Sequence, residues 1–202
     1  MKASVFKIHE SLRVFPPAQG AYILYRRILE QGLMPTWLWI KDKIVRRTQG
    51  FSIPELSEVA PYLYVGGQHR RQALDRMREL GITAILNLRE ESDDAARGLV
   101  LDAYLWLPIT DDTAPSVEEF SRGVAFIEEQ ISQGRGVYVH CASGVGRAPT
   151  MAAAYFVSCG TEPQEAWDII RRTRPFVRPT PPQLDIVRKF ARDPGSAASK
   201  SA

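Results

Sequence analysis

Val139-His140-Cys141-Ala142-Ser143-Gly144-Val145-Gly146-Arg147 sets a cysteine and an arginine five residues apart, with two glycines between them. The apolar run Gly136 to His140 that feeds it reads as a buried strand; a helical run from about Gly146 to Ser158 follows and is closed by Gly160. Strand, tight loop and helix in that order turn successive backbone N–H groups inward at a helix N-terminus, which makes a concave anion site. Arg147, read as one turn into that helix, can return a planar guanidinium to two oxygens of a phosphoryl group, a fit that the point charge of lysine does not reproduce. The cradle is therefore Ala142, Ser143, Gly144, Val145, Gly146 and Arg147. A thiol at its base sits in the same field, so Cys141 reads as a nucleophile held as its thiolate. An inert core cysteine would explain neither the glycine pair nor the arginine. His140 reads as a buried support of the loop, and Cys159, at the end of an apolar helix, as a core residue.

Outward from this loop the pattern alternates strand and helix. Tyr62 to Val65, Ala84 to Leu88 and Tyr104 to Ile109 read as strands, with a helix near His69 to Leu80, which indicates an α/β domain. Ser116 with Glu119, Thr161 with Gln164 and Thr180 with Gln183 have the spacing of helix capping boxes. Residues 19 to 31 and 35 to 48 carry helical patterns separated by Gly32 and Pro35.

The chain has 202 residues, 45% hydrophobic and 24% charged, which suits one ordinary globular domain. Residues 1 to 50 hold nine of its 26 basic residues and three of its 23 acidic ones, and Trp37 and Trp39 as well. This segment reads as a basic helical arm suited to an anionic membrane surface, or else as one that packs back on the main domain. Residues 51 to 192 form the main domain, and the small, polar residues 193 to 202 are expected to fray. A net charge of +3 makes no case for nucleic acid. Two cysteines are too few for a disulfide framework, and no secretory signal or spanning helix is legible, so a cytoplasmic location, peripheral to a membrane through the arm, is expected.

From Pro54 to Arg192 the sequence resembles the cysteine-based protein tyrosine phosphatase superfamily, whose loop is histidine, cysteine, five residues, arginine; the dual-specificity branch is the most similar. The resemblance implies a central, mostly parallel sheet of four or five strands flanked by helices. It also implies a phosphocysteine intermediate and neither metal nor organic cofactor. It places a general acid on an upstream loop, here Thr110-Asp111-Asp112-Thr113, where Asp111 resembles that acid and Asp112 is its rival. Ala84-Ile85-Leu86-Asn87-Leu88-Arg89-Glu90 is similar to the family's second strand, with Asn87 buttressing the phosphate loop. One residue departs from the pattern: Ala148 stands where most relatives carry serine or threonine, and Gly-Arg-Ala-Pro resembles the loop end of the phosphatases of regenerating liver. Slow breakdown of the intermediate is the implication. The uncharged Ala142, Ser143 and Val145 favour a single phosphate monoester, on phosphotyrosine, phosphoserine or phosphothreonine in proteins. A phospholipid phosphate, as for the mitochondrial phosphatidylglycerophosphate phosphatases, is the alternative, and a slow phosphate-binding pseudophosphatase a further one.

Overall fold

The computed structural model describes residues 16–192. The first fifteen residues of the arm and the tail from 193, with its expected fraying, lie outside them. Two helices, α1 (Pro16–Gln31) and α2 (Leu33–Thr48), come first. Gly32 alone separates them, at φ +86, and Pro35 falls inside the first turn of α2, where its missing N–H costs nothing. Then follow β1 (Glu58–Ala60), β2 (Leu63–Gly67), a short α3 (Leu74–Glu79), β3 (Ile82–Arg89), β4 (Ala103–Ile109), α4 (Val117–Ser132), β5 (Gly136–Cys141), α5 (Arg147–Ser158), α6 (Pro163–Thr173) and α7 (Pro181–Ala191).

The five strands form one sheet in the order β1-β2-β5-β3-β4; β1 is antiparallel to β2 and the other pairings are parallel. Parallel strands need both faces covered, and the side-chain alternation supplies two cores. Val137, Val139 and Cys141 of β5 face the larger core with Leu63, Val65, Leu86 and Leu88, beneath α4, α5, α6 and α7. Tyr138 of β5 faces the smaller one with Phe51, Tyr64, Ile85 and Met77. Eleven of the twelve residues of α5 are buried, Ala152, Ala153 and Ala154 among them, so this helix lies at the centre of the helical layer.

The capping boxes at Ser116 and Thr180 form as read. The one expected at Thr161 does not: α6 begins one residue later, with Glu162 at the cap without a side-chain bond and Pro163 in its first turn. Cys159 is also corrected. It is the exposed C-cap of α5, followed by Gly160 at φ +89, and is not a core residue. The helix expected from His69 is a turn at Arg71–Ala73 followed by six residues of α3.

Candidate active site

β2, β3 and β5 end together at Gly67, Arg89 and Cys141, and the carboxyl edge of these parallel strands is where open α/β sheets bind ligands. Cys141 is the last residue of β5 and is buried. Its Sγ accepts the Gly144 N–H at 3.3 Å. Gly144 itself has φ +68, and a Cβ there would lie 2.4 Å from the Gly66 carbonyl carbon, so only glycine fits.

The carbonyls of the loop are held from outside. Ala142 O accepts Arg46 Nη1–H at 2.7 Å and Gln68 N–H at 3.2 Å; Gly144 O accepts Arg174 Nε–H at 2.9 Å; Val145 O accepts Arg178 N–H at 2.7 Å. A trans peptide points its N–H opposite to its carbonyl. The N–H groups of Ser143, Val145 and Gly146 are thereby turned toward the inside of the cradle. Two of the outer donors are themselves fixed by Asp42 of α2. Its buried carboxylate lies 3.3 Å from Arg174 Nη2 and 3.9 Å from Arg46 Nε, and accepts the Ile53 N–H at 3.0 Å. The second helix of the basic arm thus braces the loop from Cys141 to Arg147.

Arg147 opens α5 and is completely buried. Nη1 donates to Leu88 O at 3.2 Å and Ile109 O at 2.8 Å, and Nη1 and Nη2 together grip Glu91 at 3.0 and 3.1 Å. This end-on pairing uses one fork of the guanidinium and leaves Nε–H and one Nη2–H as the other. Nε makes no aligned hydrogen bond; the carboxylate nearest it is Asp111, with Oδ1 at 3.0 Å. Burial works against the charge of Arg147, but the Glu91 hydrogen bonds, with the Cys141 and Asp111 charges beside them, outweigh it and raise the guanidinium pKa further. The same bonds hold the Glu91 carboxyl well below its usual range, at about 2. Asp111 keeps 65% of its side chain exposed, so it stands at the mouth of the cradle with room to move. Asp112 next to it sits at φ +58, with its carbonyl held by the Thr180 hydroxyl at 3.0 Å.

Behind the loop, His140 Nε2 lies 2.8 Å from Asp94 Oδ2, and His69 Nδ1 lies 3.9 Å from the same oxygen, all three side chains buried. His69 Nε2 bonds to Leu99 O at 2.7 Å. Among the described residues these three alone bring atoms close enough together, within 4.8 Å, to share a metal ion. Burial, with the neighbouring His140, pushes the His69 pKa down to about 4. Burial alone would raise Asp94, but the hydrogen bond and charge of His140 more than offset it and leave its pKa lowered.

Asn87 is refined by its bonds. Its amide donates to Ser92 O at 2.8 Å and to the Tyr104 hydroxyl at 3.2 Å, and its oxygen accepts the Arg89 N–H at 2.9 Å. It braces segment 89–94, which carries Glu91 and Asp94, and reaches the phosphate loop through them. Sequence reading passed over Glu91, Asp94, His69, Asp42 and Arg174. A carboxylate just past the end of a strand that neighbours the cysteine strand is the signal that would have found Glu91.

A buried thiol, an arginine whose Nε edge makes no aligned hydrogen bond and an exposed carboxylate beside that edge thus come together at the carboxyl end of a five-stranded α/β sheet. The profile described as "Dual specificity phosphatase, catalytic domain" matches residues 63–193, and the chain belongs to that family. It is similar to human dual specificity protein phosphatase 5, 32% identical over 124 residues, which is 60% of this chain and 32% of that protein. It is also similar to the phosphatidylglycerophosphate phosphatase PTPMT2 of Arabidopsis thaliana, 28% identical over 141 residues, 67% of this chain and 62% of that one. The chain thus spans about a third of the first of these relatives. The solved structure of PTPMT1 shares the fold, with a TM-score of 0.62 at 22% identity over 72% of this chain and 99% of that one. DUSP15 does so with a TM-score of 0.60 at 25% identity over 74% and 91%.

Proposed function

We propose that the protein hydrolyses phosphate monoesters through a phosphocysteine on Cys141. The observation that carries this reading is the Nε edge of the buried Arg147, which makes no aligned hydrogen bond and has only the exposed Asp111 carboxylate beside it while Glu91 holds the other edge. A phosphate in the cradle takes the inward N–H groups and this Nε edge, which places phosphorus over Sγ. The thiolate forms the S–P bond as the P–O bond to the leaving group breaks, and Asp111 gives that oxygen its proton. Water then attacks phosphorus, Asp111 takes a proton from it, and the S–P bond breaks to return thiolate and inorganic phosphate. His140, Asp94 and Asn87 hold the loop from behind.

Phosphotyrosine, phosphoserine and phosphothreonine of proteins are the substrates that the names of the dual-specificity relatives support. A lipid phosphate is a second reading, favoured by the arm. Eight of the ten large hydrophobic side chains exposed among the described residues lie on α1 and α2, including Leu29, Leu33, Met34, Trp37 and Ile44. Such a surface beside lysines and arginines suits the interface of an anionic membrane. No helix among the described residues is long and apolar enough to cross one. A PTPMT1 structure in complex with PI(5)P and the Arabidopsis relative's name support the same side.

Phosphotyrosine peptide, phosphothreonine peptide and phosphatidylglycerophosphate, each assayed with and without chelator, test the proposal. Phosphate release from at least one of them, unchanged by chelator, is expected, because the cradle and thiolate supply the electrostatics that metals supply elsewhere. Activity that chelator abolishes would overturn it.

A further inference from the structure

A cleft of about 840 Å³ opens at the seam between α2 and the main domain. Seven of its eleven lining residues are lysine or arginine and none is acidic: Lys43, Arg46 and Arg47 come from α2, Arg70 and Arg71 from the segment after β2, and Arg89 and Arg97 from the far wall. Among the described residues, only Arg46 and Arg89 of the seven have a carboxylate within ion-pair distance. Like charges gathered in a concavity repel one another and focus a positive potential, an arrangement that a bound polyanion relieves.

The cleft borders the outer side of the loop from Cys141 to Arg147. Arg46 donates to Ala142 O, inside the phosphate loop, and the Gln68 that lines the cleft bonds to the same carbonyl through its N–H. On the far wall Arg89 Nε holds Glu91 Oε1 at 2.9 Å, the oxygen that Arg147 Nη2 holds at 3.1 Å. Both features stand on the same edge of the sheet, beyond the carboxyl ends of β2 and β3.

We infer that this cleft is a second anion subsite of the active site, taking a second phosphate group of a small substrate whose phosphomonoester lies over Cys141. The inference rests on the phosphatase reading above and takes its lipid side: Ile44 and Trp37 are exposed on the same helix that supplies three of the cations, and a phosphorylated head group on an acyl-bearing molecule needs apolar as well as cationic surface. The expectation of a single phosphate monoester came from the uncharged loop residues alone; the cations of the cleft come from α2, the segment after β2, the end of β3 and Arg97.

The full-length protein and its Arg47→Ala/Arg70→Ala variant are compared on four substrates. These are phosphatidylglycerophosphate in mixed micelles, its deacylated water-soluble head group, phosphatidic acid, and a simple aryl phosphate. Each lost charge-assisted bond to phosphate is worth about tenfold in affinity or more. The variant is therefore expected to show a KM raised about tenfold to a hundredfold for the two compounds with a second phosphate, and kinetics on the other two unchanged. Equal losses on lipid and head group assign recognition to the head group; a loss on the lipid alone assigns it to the head group at a surface; both support the subsite. Equal effects on all four substrates, no effect on any, or a loss confined to a doubly phosphorylated peptide tested alongside would overturn it. Failure of the wild-type protein to hydrolyse the aryl phosphate would sink the phosphatase reading instead.

Discussion

Glu91 and Asp111 divide Arg147 between them, and the division bears on which aspartate is the acid. Glu91 takes the end-on fork, so a carboxylate beside Nε meets the incoming phosphate; Asp111 occupies that place, while Asp112 has its backbone fixed by Thr180. Asp111→Ala is expected to slow esters with poor leaving groups by about 10² to 10⁴ and an activated aryl ester far less, since that group departs with little protonation. Asp112→Ala should lie close to wild type on both. The reverse pattern would shift the acid by one residue.

Ala148, fully buried next to Arg147, makes a second residue-level claim. Formation of the phosphocysteine needs no hydroxyl there, whereas its breakdown expels a thiolate that a hydroxyl would stabilise. A hydrogen bond to a charged group contributes about 1.5 to 3 kcal/mol, or about tenfold to a hundredfold in rate. Rapid mixing of the wild type should show a burst of the first product, and Ala148→Ser should raise steady-state turnover and shrink the burst. A wild type without a burst, together with a serine variant no faster, would show that breakdown is not limiting.

Among the elements, the strand-loop-helix unit was legible because everything it needs is local: an apolar run, two glycines and an arginine at fixed offsets. The brace around it was not. Asp42 lies in the charged run Lys41-Asp42-Lys43, where a solvated face is the ordinary reading, and its partner Arg174 is 132 residues away. Glu91 follows Glu90 in an acidic turn, and what selects it is the irregular register of β3 against β4 between Asn87 and Arg89, together with the bonds of Asn87. At Thr161 the hydroxyl and amide spacing suggested a cap, but Pro163 takes the first helical position and moves the cap to Glu162.

The element formed by His69, Asp94 and His140 carries a pH dependence. His69 titrates near 6.5 when unfolded and near 4 when folded. Between those values the unfolded chain binds the extra proton, so stability is complete above about pH 6.5 and is lost as pH falls toward 4. Asp94, whose folded pKa is lowered from 3.8, adds its own loss only at still lower pH. Melting temperatures from pH 7 to 4 should fall more steeply for the wild type than for His69→Gln. Parallel curves would mean that His69 is not the group responsible.

Across the whole molecule, the sheet order brings the ends of β2, β5 and β3 side by side, so residues from 42 to 178 converge on one loop of seven. The expectation of a basic arm anticipated its helices, and the arm both exposes apolar side chains and packs on the main domain. α1 and α2 expose Trp37 and Ile44, yet α2 also buries Asp42 against Arg174, and α1 is held to segment 176–178 through Gln31 to Val177 O at 3.0 Å. Contacts so far apart in the chain leave no periodic trace, which is why the hold of the arm on the loop could not be read.

The central claim is that Cys141 carries the phosphoryl group between two half-reactions. Acid quenching of the wild-type protein during turnover of an aryl phosphate, followed by intact-mass measurement and peptide mapping, tests it most directly. One phosphoryl group on the peptide containing Cys141, absent from Cys141→Ser along with turnover, is the predicted result. Turnover that persists in Cys141→Ser, or a phosphoryl group trapped on any other residue, would contradict it.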